Sequence, residues 1–481
     1  MSRRLLGPFN RVEGDLEITL EVEDGVIRQA RVNSPLFRGF EHILQGKPPQ
    51  DALVYTPRIC GICSVSQSVA AATALAQAQG IAPTENGRLA TNLILATENL
   101  ADHLTHFYLF FMPDFARDAY RNQPGFDATA RRFKAQQGSA APEMLAARAG
   151  FMHITGLLAG KWPHSLALQP GGTTRPVEAA EKSRLGTLLR AFRHFLETRL
   201  FAAPLEAIDA LDSSQALDAF AEQHPDSDFA HFLRLSDQHR LQLLGRAGDL
   251  FMSYGAYPDE SGGHLLGRGI WGNGRQQTLD SEAIREDLSH SWLNAHSEPL
   301  HPWQGSTLPG DDDDQGYSWC KAPRLDGQIA EVGALARQLN DGHPLILDLV
   351  RHQGGNVRAR VVARLLELAR VVPAMENWVR ALRPGDSFCT PTRPIEEGRG
   401  AGLVEAARGS LGHWMVIRHQ RILNYQIIAP TTWNFSPRDR DEQPGPLEQA
   451  LQGTVVGNDD DPVVIQHIIR SFDPCMVCTV H

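Results

Sequence analysis

Two pairs of cysteines are the residues of this sequence best suited to chemistry. Cys60 and Cys63 lie in RICGIC, and Cys475 and Cys478 lie in DPCMVCTVH at the end of the chain. The spacing C-x-x-C lets two thiolates face one ion, and thiolates select zinc, iron–sulfur clusters, nickel or copper(I) over hard ions. Together the two pairs can supply a shell of four thiolates.

The separation of the two pairs restricts what they bind. From the C-x-x-C spacing alone a structural zinc site is an equally good explanation, but zinc ribbons place their pairs about 15–20 residues apart. Here nearly the whole chain lies between them. Disulfides and a thioredoxin-like redox pair have less support, because nothing suggests secretion and neither pair follows a clear strand-to-helix turn. We therefore expect a buried site where the two ends of a large fold meet.

The elements that must position these cysteines follow from hydrophobic periodicity. Alternating apolar residues predict one β-hairpin over 16–32 and another over 409–428. Apolar residues at every third or fourth position predict a long helix that is capped by Thr84 and runs to Phe111. The same helical pattern occurs over 179–201 and around 357–382.

These elements predict an α+β fold that is mainly helical: a large helical-bundle core with peripheral β-hairpins, and terminal segments that meet at the buried metal site. We expect a single domain over 1–481, because no internal repeat or low-complexity linker divides it. Residues 1–60 would carry the first hairpin and reach the first cysteine pair. The helical core would span 84–382 with a loop insertion over 262–325, and 405–481 would carry the second hairpin and the second pair.

Composition and charge exclude several classes of protein. The 481 residues carry a formal net charge of -10, which argues against a nucleic-acid partner. No apolar stretch approaches the roughly 20 residues that cross a bilayer, so we expect no direct membrane insertion. The N-terminus lacks the apolar region of a signal peptide, which predicts a cytoplasmic location unless a partner carries the export signal. The run Asp311 to Asp314 lacks the ligand spacing of a calcium loop and is interpreted as a solvated loop.

Several short motifs occur along the chain in a fixed order, and together they are far more specific than any one of them. They are RVEGD (11–15), RGFEHILQG (38–46), RICGIC (58–63), DHLTHFY (102–108), GKWPHS (160–165), PGG (170–172), YSWCKAPR (317–324), EAARGSLGHW (405–414), APTTWN (429–434) and DPCMVCTVH (473–481). In these motifs the sequence resembles the large, active-site subunit of [NiFe] hydrogenases, from residue 11 to the last residue.

The resemblance implies a bimetallic centre held by the four cysteines. Cys60 and Cys475 would be terminal ligands of nickel, and Cys63 and Cys478 would bridge nickel to an iron that carries carbon monoxide and cyanide, a NiFe(CN)2(CO) centre. The implied reaction is heterolytic cleavage of dihydrogen (H2), in which the metal pair takes hydride and a base takes the proton.

Charged residues around the metals would have roles by the same resemblance. Cys475 would be the first proton acceptor and Glu13, in RVEGD, the next, although by composition alone Glu13 is an ordinary surface carboxylate. Arg408, Asp102 and Asp473 look like the family's charged canopy over the open metal face, where a fixed guanidinium gives preorganised charge. The alternative for this trio is a buried ion pair that only shapes the fold. In EAARG an alanine precedes Arg408 where relatives often have proline.

The terminal histidine also has a counterpart in the family. There it ligates magnesium together with the glutamate of RGFE and a backbone carbonyl, which here are His481, Glu41 and Ile427. Such an ion would offset the cost of burying the chain terminus. Catalytic relatives are usually made with an extension after this histidine, removed once nickel is inserted. We therefore expect either a processed chain or a branch that never carries the extension.

Three positions depart from the common family pattern. Gln67 stands four residues after the second cysteine, where most members have histidine, and it can hydrogen-bond a bridging sulfur but cannot exchange protons. Ile62 and Phe110 are bulkier than is common and would narrow a gas channel, although core packing explains each of them equally well. The residues at these three positions resemble those of the regulatory hydrogenases. They predict a hydrogen sensor of low turnover that signals to a histidine kinase.

The alternative hypothesis is the large subunit of an energy-conserving uptake hydrogenase. A non-hydrogenase relative, such as the quinone-site subunit of respiratory complex I, lacks the metal-binding cysteines that this chain has. A purely structural zinc protein is the remaining possibility.

Electrons that leave nickel need a relay, normally of iron–sulfur clusters. The two remaining cysteines, Cys320 and Cys389, are isolated and too few for one four-thiolate cluster. Iron–sulfur clusters are therefore expected only in a partner, the small subunit of the hydrogenase.

Overall fold

The structure is a computed structural model that describes residues 2–310, 316–456 and 463–481. The solvated loop predicted at Asp311 to Asp314 lies outside the described residues.

The strands form small antiparallel sheets with the strand orders β1-β2-β3, β4-β5, β6-β7-β8, β9-β10 and β11-β12-β13. Their bounds are β1 (Ser2–Leu6), β2 (Glu17–Glu23), β3 (Val26–Asn33), β4 (Leu168–Gln169), β5 (Gly172–Thr173), β6 (Leu250–Pro258), β7 (His264–Gly272), β8 (Arg275–Gln277), β9 (Ile284–Asp287), β10 (Ala322–Leu325), β11 (Gly398–Ala406), β12 (Gly409–Arg418) and β13 (Arg421–Ile428).

Helices make up most of the regular structure and most of the core. They are α1 (Phe40–Leu44), α2 (Ala52–Tyr55), α3 (Ser64–Gln79), α4 (Glu85–Thr105), α5 (Phe126–Phe133), α6 (Ala140–Ala159), α7 (Ala179–Phe195), α8 (Leu205–Asp209), α9 (Ser214–Gln223), α10 (Asp228–Gln238), α11 (Ala334–Asn340), α12 (Pro344–Arg351), α13 (Val357–Ala381), α14 (Pro430–Asn434), α15 (Pro446–Leu451) and α16 (Val463–Ser471).

Helix α4 is the long helix predicted to begin at Thr84. The Thr84 hydroxyl accepts a hydrogen bond from the Gly87 N–H at 3.1 Å, so the predicted cap is confirmed. The helix is buried along most of its length, including the polar Glu98 and Asp102. After Thr105 the chain widens into a π-helical turn, His106–Phe111. The helical segment therefore extends to Phe111 as predicted, but its last turn is π-helical and not α-helical.

The two other predicted helices are also confirmed. Helix α7 begins at Ala179 and passes into a second π-helical turn, Leu196–Leu200. Helix α13 runs from Val357 to Ala381 with Pro373 inside it. It packs against α4, so that long buried helices form the centre of the fold.

The two predicted hairpins are present, and each belongs to a three-stranded sheet. Strands β2 and β3 form the first, with β1 added at the edge, and β12 and β13 form the second, with β11 added. The extra strand β11 lies directly on helix α3. A Cβ at Gly402 would overlap the carbonyl oxygen of Ala70, and one at Gly400 would overlap that of Ala74. Glycine at these two positions thus lets the sheet approach the helix that follows the first cysteine pair.

The region 262–325, predicted as loops with short strands, has more regular structure at its start than expected. Strand β7 pairs with β6 over most of its length, and β8 completes the sheet. Strand β6 is buried from Phe251 to Tyr257 without interruption. It therefore lacks the alternation of polar and apolar residues that marks a strand with one solvated face.

The α+β, mainly helical fold with peripheral hairpins is confirmed, and the terminal segments meet in its interior. Among the described residues, none of the helices combines the length and the apolar character needed to span a membrane.

Candidate metal centre

The four cysteines of the two C-x-x-C pairs converge on one buried point. Their Sγ atoms all lie within 4.8 Å of one another. The Cys63 and Cys478 sulfurs are 3.1 Å apart, and the Cys60 and Cys475 sulfurs are 3.5 Å apart. In each of these two contacts, one sulfur comes from the first C-x-x-C pair and the other from the second.

The first cysteine pair is held at the start of helix α3. Cys63 is the residue immediately before the first turn of α3, and the Ile62 N–H donates to the Cys60 sulfur at 3.3 Å. The helix fixes Cys63, and the short loop before it turns Cys60 toward the same side.

The second pair is held by backbone contacts to the N-terminal segment. Glu13 forms a parallel β-bridge with Cys475, and the Met476 N–H donates to the Glu13 carbonyl at 2.7 Å. Arg38 joins both pairs, because its Nη2 donates to the carbonyls of Ile59 and Val477, the residues just before Cys60 and Cys478. Arg38 belongs to the motif RGFE, but it was not predicted as a site residue.

The donor set fits a site for soft metal ions. Four buried sulfurs at these distances cannot all carry charge without a cation between them. Without one they share protons: the hydrogen bond from Cys475 holds the pKa of Cys60 well below its ordinary value, while burial raises the pKa of Cys478 well above it. The Cys475 and Cys478 sulfurs are also only 3.0 Å apart, so the four sulfurs form one compact cluster.

Arg408 lies in the two-residue turn between β11 and β12 and forms ion pairs with two buried carboxylates. Its Nη1 is 2.6 Å from Asp102 Oδ2, its Nε donates to the Asp473 carbonyl at 2.9 Å, and its Nη2 lies 3.3 Å from Asp473 Oδ1. Burial alone would lower the pKa of Arg408, but the two carboxylates raise it well above its ordinary value. The guanidinium is therefore a fixed positive charge, and Cys475 and Cys63 lie within its field.

The Glu13 side chain lies beside the same site. Burial and the charge of Cys60 raise the pKa of its carboxyl group, and Arg408 acts in the opposite direction. The carboxyl group is thus close enough to the sulfurs to interact with them. Its main chain is bound to the Cys475 segment, and the proton route from Cys475 to Glu13 stays a prediction.

A second polar site lies at the buried chain terminus. Both ring nitrogens of His481 and Oε2 of Glu41 are buried without hydrogen-bond partners. The Ile427 N–H donates to Glu41 Oε1 at 2.6 Å. The Ile427 backbone is therefore in contact with Glu41, and the role of its carbonyl as a ligand stays a prediction. Burial lowers the pKa of His481 well below its ordinary value, so the imidazole is neutral and able to ligate a cation.

Lys321 and Glu286 complete this second site and were not predicted as site residues. Lys321 Nζ lies 3.1 Å from Glu41 Oε1 and 2.7 Å from Glu286 Oε1. All three side chains are buried. Burial raises the pKa of Glu286 to about 7, although Lys321 opposes this shift. Lys321 occurs in the motif YSWCKAPR, but the sequence gives no sign of its partners.

Gln67 is hydrogen-bonded to a histidine that was not predicted as a site residue. Its Oε1 lies 2.8 Å from His413 Nε2, and the other ring nitrogen of His413 lies 2.8 Å from the Tyr425 hydroxyl. An amide oxygen only accepts, so His413 donates to Gln67 and accepts from Tyr425. The Gln67 N–H donates to the Cys63 carbonyl at 3.1 Å, in the first turn of α3.

The two residues predicted to narrow a gas channel are both only partly buried. Ile62 is partly buried and packs against the core cluster that contains the cysteines. Phe110 is also partly exposed and lies in the π-helical turn after α4. Their role in a gas channel stays a prediction.

Comparisons with known proteins agree with this site. A family model described as nickel-dependent hydrogenase matches residues 38–124 and 142–481. The chain is 29% identical to the periplasmic [NiFeSe] hydrogenase large subunit of Desulfomicrobium baculatum, over 99% of this chain and 94% of the relative. It is also 29% identical to the uptake hydrogenase large subunit of Rhodobacter capsulatus, over 100% and 95%. A solved structure of the H2-activated D. baculatum [NiFeSe] hydrogenase superposes with a TM-score of 0.85 at 29% identity, covering 100% of both chains.

The D. baculatum relative and its solved structure carry selenium in their names, whereas both C-x-x-C pairs of this chain consist of cysteine. The family model covers most of the chain and includes both cysteine pairs, and the structural match extends over its whole length. This chain therefore belongs to the nickel-dependent hydrogenase family, as a large, active-site subunit.

Proposed function

We propose that this chain holds a nickel–iron centre between its four cysteines and oxidises H2 as the large subunit of an uptake hydrogenase. The observation that carries the proposal is the convergence of four buried sulfurs within 4.8 Å. The similarity to an uptake hydrogenase large subunit supports H2 oxidation as the physiological direction.

When bound, the nickel–iron centre, with carbon monoxide and cyanide on iron, supplies the Lewis-acid and two-electron chemistry that cleaves H2. Cys60 and Cys475 would bind nickel alone. Cys63 and Cys478, whose sulfurs are closest across the two pairs, would bridge both metals. Thiolates keep such metals electron-rich.

The proton released from H2 would move along residues of this chain. The Cys475 sulfur would hold it first, and the Glu13 carboxyl group would receive it next. The raised pKa of Glu13 supports this order, because a carboxyl group that binds protons more readily is a better acceptor. From Glu13, which is only half-buried, the proton can reach the surface.

Arg408 would provide fixed positive charge at the open face of the centre. It pairs with Asp102 and Asp473, so it does not need to reorganise when charge develops during cleavage. The two carboxylates also prevent it from moving toward the sulfurs.

The names of the relatives as large subunits support an iron–sulfur small subunit as the electron-accepting partner. We further propose that Glu41, the Ile427 carbonyl and His481 hold a magnesium ion, since Glu41 Oε2 and the His481 ring nitrogens are buried without hydrogen-bond partners and carboxylate oxygens suit a hard cation. The cytoplasmic location remains a prediction, and one relative is named periplasmic.

A hydrogen sensor that signals to a histidine kinase is the second candidate. Gln67 favours it, because its amide is held by His413 and cannot pass a proton as histidine would. Deleting the gene separates the two candidates. Loss of hydrogen-dependent growth supports the uptake function, whereas loss of hydrogen-dependent transcription alone supports the sensor.

The proposed centre is tested on the purified complex by metal analysis and infrared spectroscopy. We expect nickel and iron together with absorption bands of bound carbon monoxide and cyanide, which lie where proteins do not absorb. Zinc without such bands would overturn the proposal.

A further inference from the structure

Glu98 is a buried carboxylate of helix α4 that the proposed reaction does not use. It is 3% exposed, and it accepts hydrogen bonds at 2.8–3.0 Å from the Val65 N–H, the Ser66 N–H, the Ser66 hydroxyl and the Trp162 indole N–H. Among the described residues no salt bridge joins it to a cation. A carboxylate buried without an ionic partner is costly, which suggests that these contacts serve a purpose beyond packing.

The contacts of Glu98 place it at the start of helix α3. Residue Cys63 precedes this helix and offers no side-chain cap, so the first N–H groups of α3 would otherwise have no acceptor. Glu98 supplies that acceptor from a neighbouring helix and places a negative charge at the positive end of the helix dipole. The cap lies two and three residues after Cys63.

Asp102 follows Glu98 on the same helix by four residues, which is one helical turn on the same face. It binds Arg408, and Arg408 binds the Asp473 carbonyl and carboxylate two residues before Cys475. Helix α4 thus contacts the segment of the first cysteine pair through Glu98 and that of the second pair through Asp102.

We propose that Glu98 is a positioning residue for the metal centre: by capping α3 it sets the place and the electrostatic environment of Cys63 relative to the second cysteine pair. The proposal rests on the proposed function, since it assumes that the four sulfurs hold the nickel–iron centre. Helix α4 then acts as a common support for both halves of the site.

The proposal predicts a spectroscopic change that packing alone does not. Burial raises the pKa of Glu98 to about 7, although its hydrogen-bond donors oppose this shift, so the group is mainly ionised at pH 8. At that pH, replacing Glu98 by glutamine removes a negative charge beside Cys63 and turns an amide NH2 toward N–H donors. Cys63 would then donate less electron density to the iron, and the carbon monoxide bound to iron would vibrate at higher frequency. The Glu98→Gln complex is therefore expected to show its carbon monoxide band shifted upward, with more than one band if the loop before α3 adopts several positions.

The experiment compares infrared spectra of the purified complex carrying wild-type chain, Glu98→Gln, Ser66→Ala and the control Glu85→Gln. Glu85 lies in the first turn of the same helix, is half-exposed and pairs with Arg88 at the surface. We expect wild-type bands from the control and an upward shift from Glu98→Gln. Ser66→Ala removes one donor and leaves the charge, so its bands should shift downward by less.

Each outcome decides a separate point. Bands of Glu98→Gln that coincide with wild type would overturn the positioning role while leaving the proposed function intact. A wild-type complex without carbon monoxide and cyanide bands would overturn the proposed function instead. Where Glu98→Gln yields no loaded complex, the milder Ser66→Ala decides, and unchanged bands in that variant would overturn the inference.

Discussion

The Sγ atoms of Cys60 and Cys475 lie 3.5 Å apart, although 415 residues separate them in the sequence. The site is complete only when the N-terminal loop, helix α3 and the C-terminal segment are all docked. Metal binding and the last stages of folding are therefore expected to be coupled.

Removing one sulfur should abolish the metal centre. In Cys478→Ser the site loses one soft ligand. Three sulfurs are too few to supply both the bridging and the terminal ligands of two metals. We expect nickel to fall from one per chain to near none by metal analysis, with H2 oxidation lost. Cys389→Ser is the matched control, because Cys389 lies outside the cluster and is partly exposed. Nickel retained at the wild-type level in Cys478→Ser would contradict the assignment.

Arg408→Lys should impair the reaction more than the binding of metals. Lysine keeps the charge but cannot contact Asp102 and Asp473 at once as the planar guanidinium does. Loss of one preorganised hydrogen-bond donor typically slows a reaction by about 10²–10³-fold. We expect a decrease of that size in H2 oxidation with nickel content unchanged. A rate within twofold of wild type would show that this ion pair only shapes the fold.

Glu13→Gln should block the proton route, because an amide cannot accept and release a proton. Loss of a positioned acid or base commonly slows turnover by about 10²–10⁴-fold. Exchange of H2 with D2O, followed by mass spectrometry, should slow by a comparable factor. Glu17→Gln, in strand β2, is the control and should exchange at the wild-type rate. Exchange as fast in Glu13→Gln as in the control would exclude Glu13 from the route.

Much of the fold could be predicted because apolar residues recur with a regular period along its longest elements. Helices α4 and α13 and both hairpins followed from period alone. Strand β11 was missed because its glycines at 400 and 402, which the approach of α3 requires, give a poor strand signal. Strand β6 was missed because burial on both faces removes the alternation of residues.

The candidate site was predictable only where residue types are distinctive. The spacing of the cysteines is visible in the sequence, whereas Glu98, Lys321 and His413 are ordinary residues until the fold places them. Each acts through a partner more than 30 residues away in the sequence. No local pattern records such a pairing.

His413 should make stability depend on pH. Burial lowers its pKa to about 3, from the value of 6.5 that applies to the unfolded chain. Below pH 6.5 the unfolded chain takes up a proton that the folded chain does not, so stability falls as the pH falls. Between pH 7 and pH 5 this amounts to about 2 kcal/mol from this residue.

The variant His413→Gln can still donate to Gln67 and accept from Tyr425, but it does not titrate. Urea unfolding of the full chain at the two pH values should show a decrease in stability that is smaller than the wild-type decrease by that amount. The exposed control His194→Gln should show the wild-type decrease. An equal pH dependence in His413→Gln and wild type would mean that His413 is not held neutral in the fold.

The buried terminus should be stabilised by a divalent cation. His481 and Glu41 have acceptor atoms without partners, and filling them with Mg²⁺ would remove the cost of burying them. A ligand at 100 times its dissociation constant stabilises the folded state by about 2.7 kcal/mol. We expect thermal unfolding of the full chain to shift upward with added Mg²⁺ in wild type but not in His481→Ala. His42→Ala, an exposed histidine next to Glu41, is the control and should respond as wild type does. An equal response to Mg²⁺ in His481→Ala would show that the cation binds elsewhere, since that variant lacks both of the free ring nitrogens at the terminus.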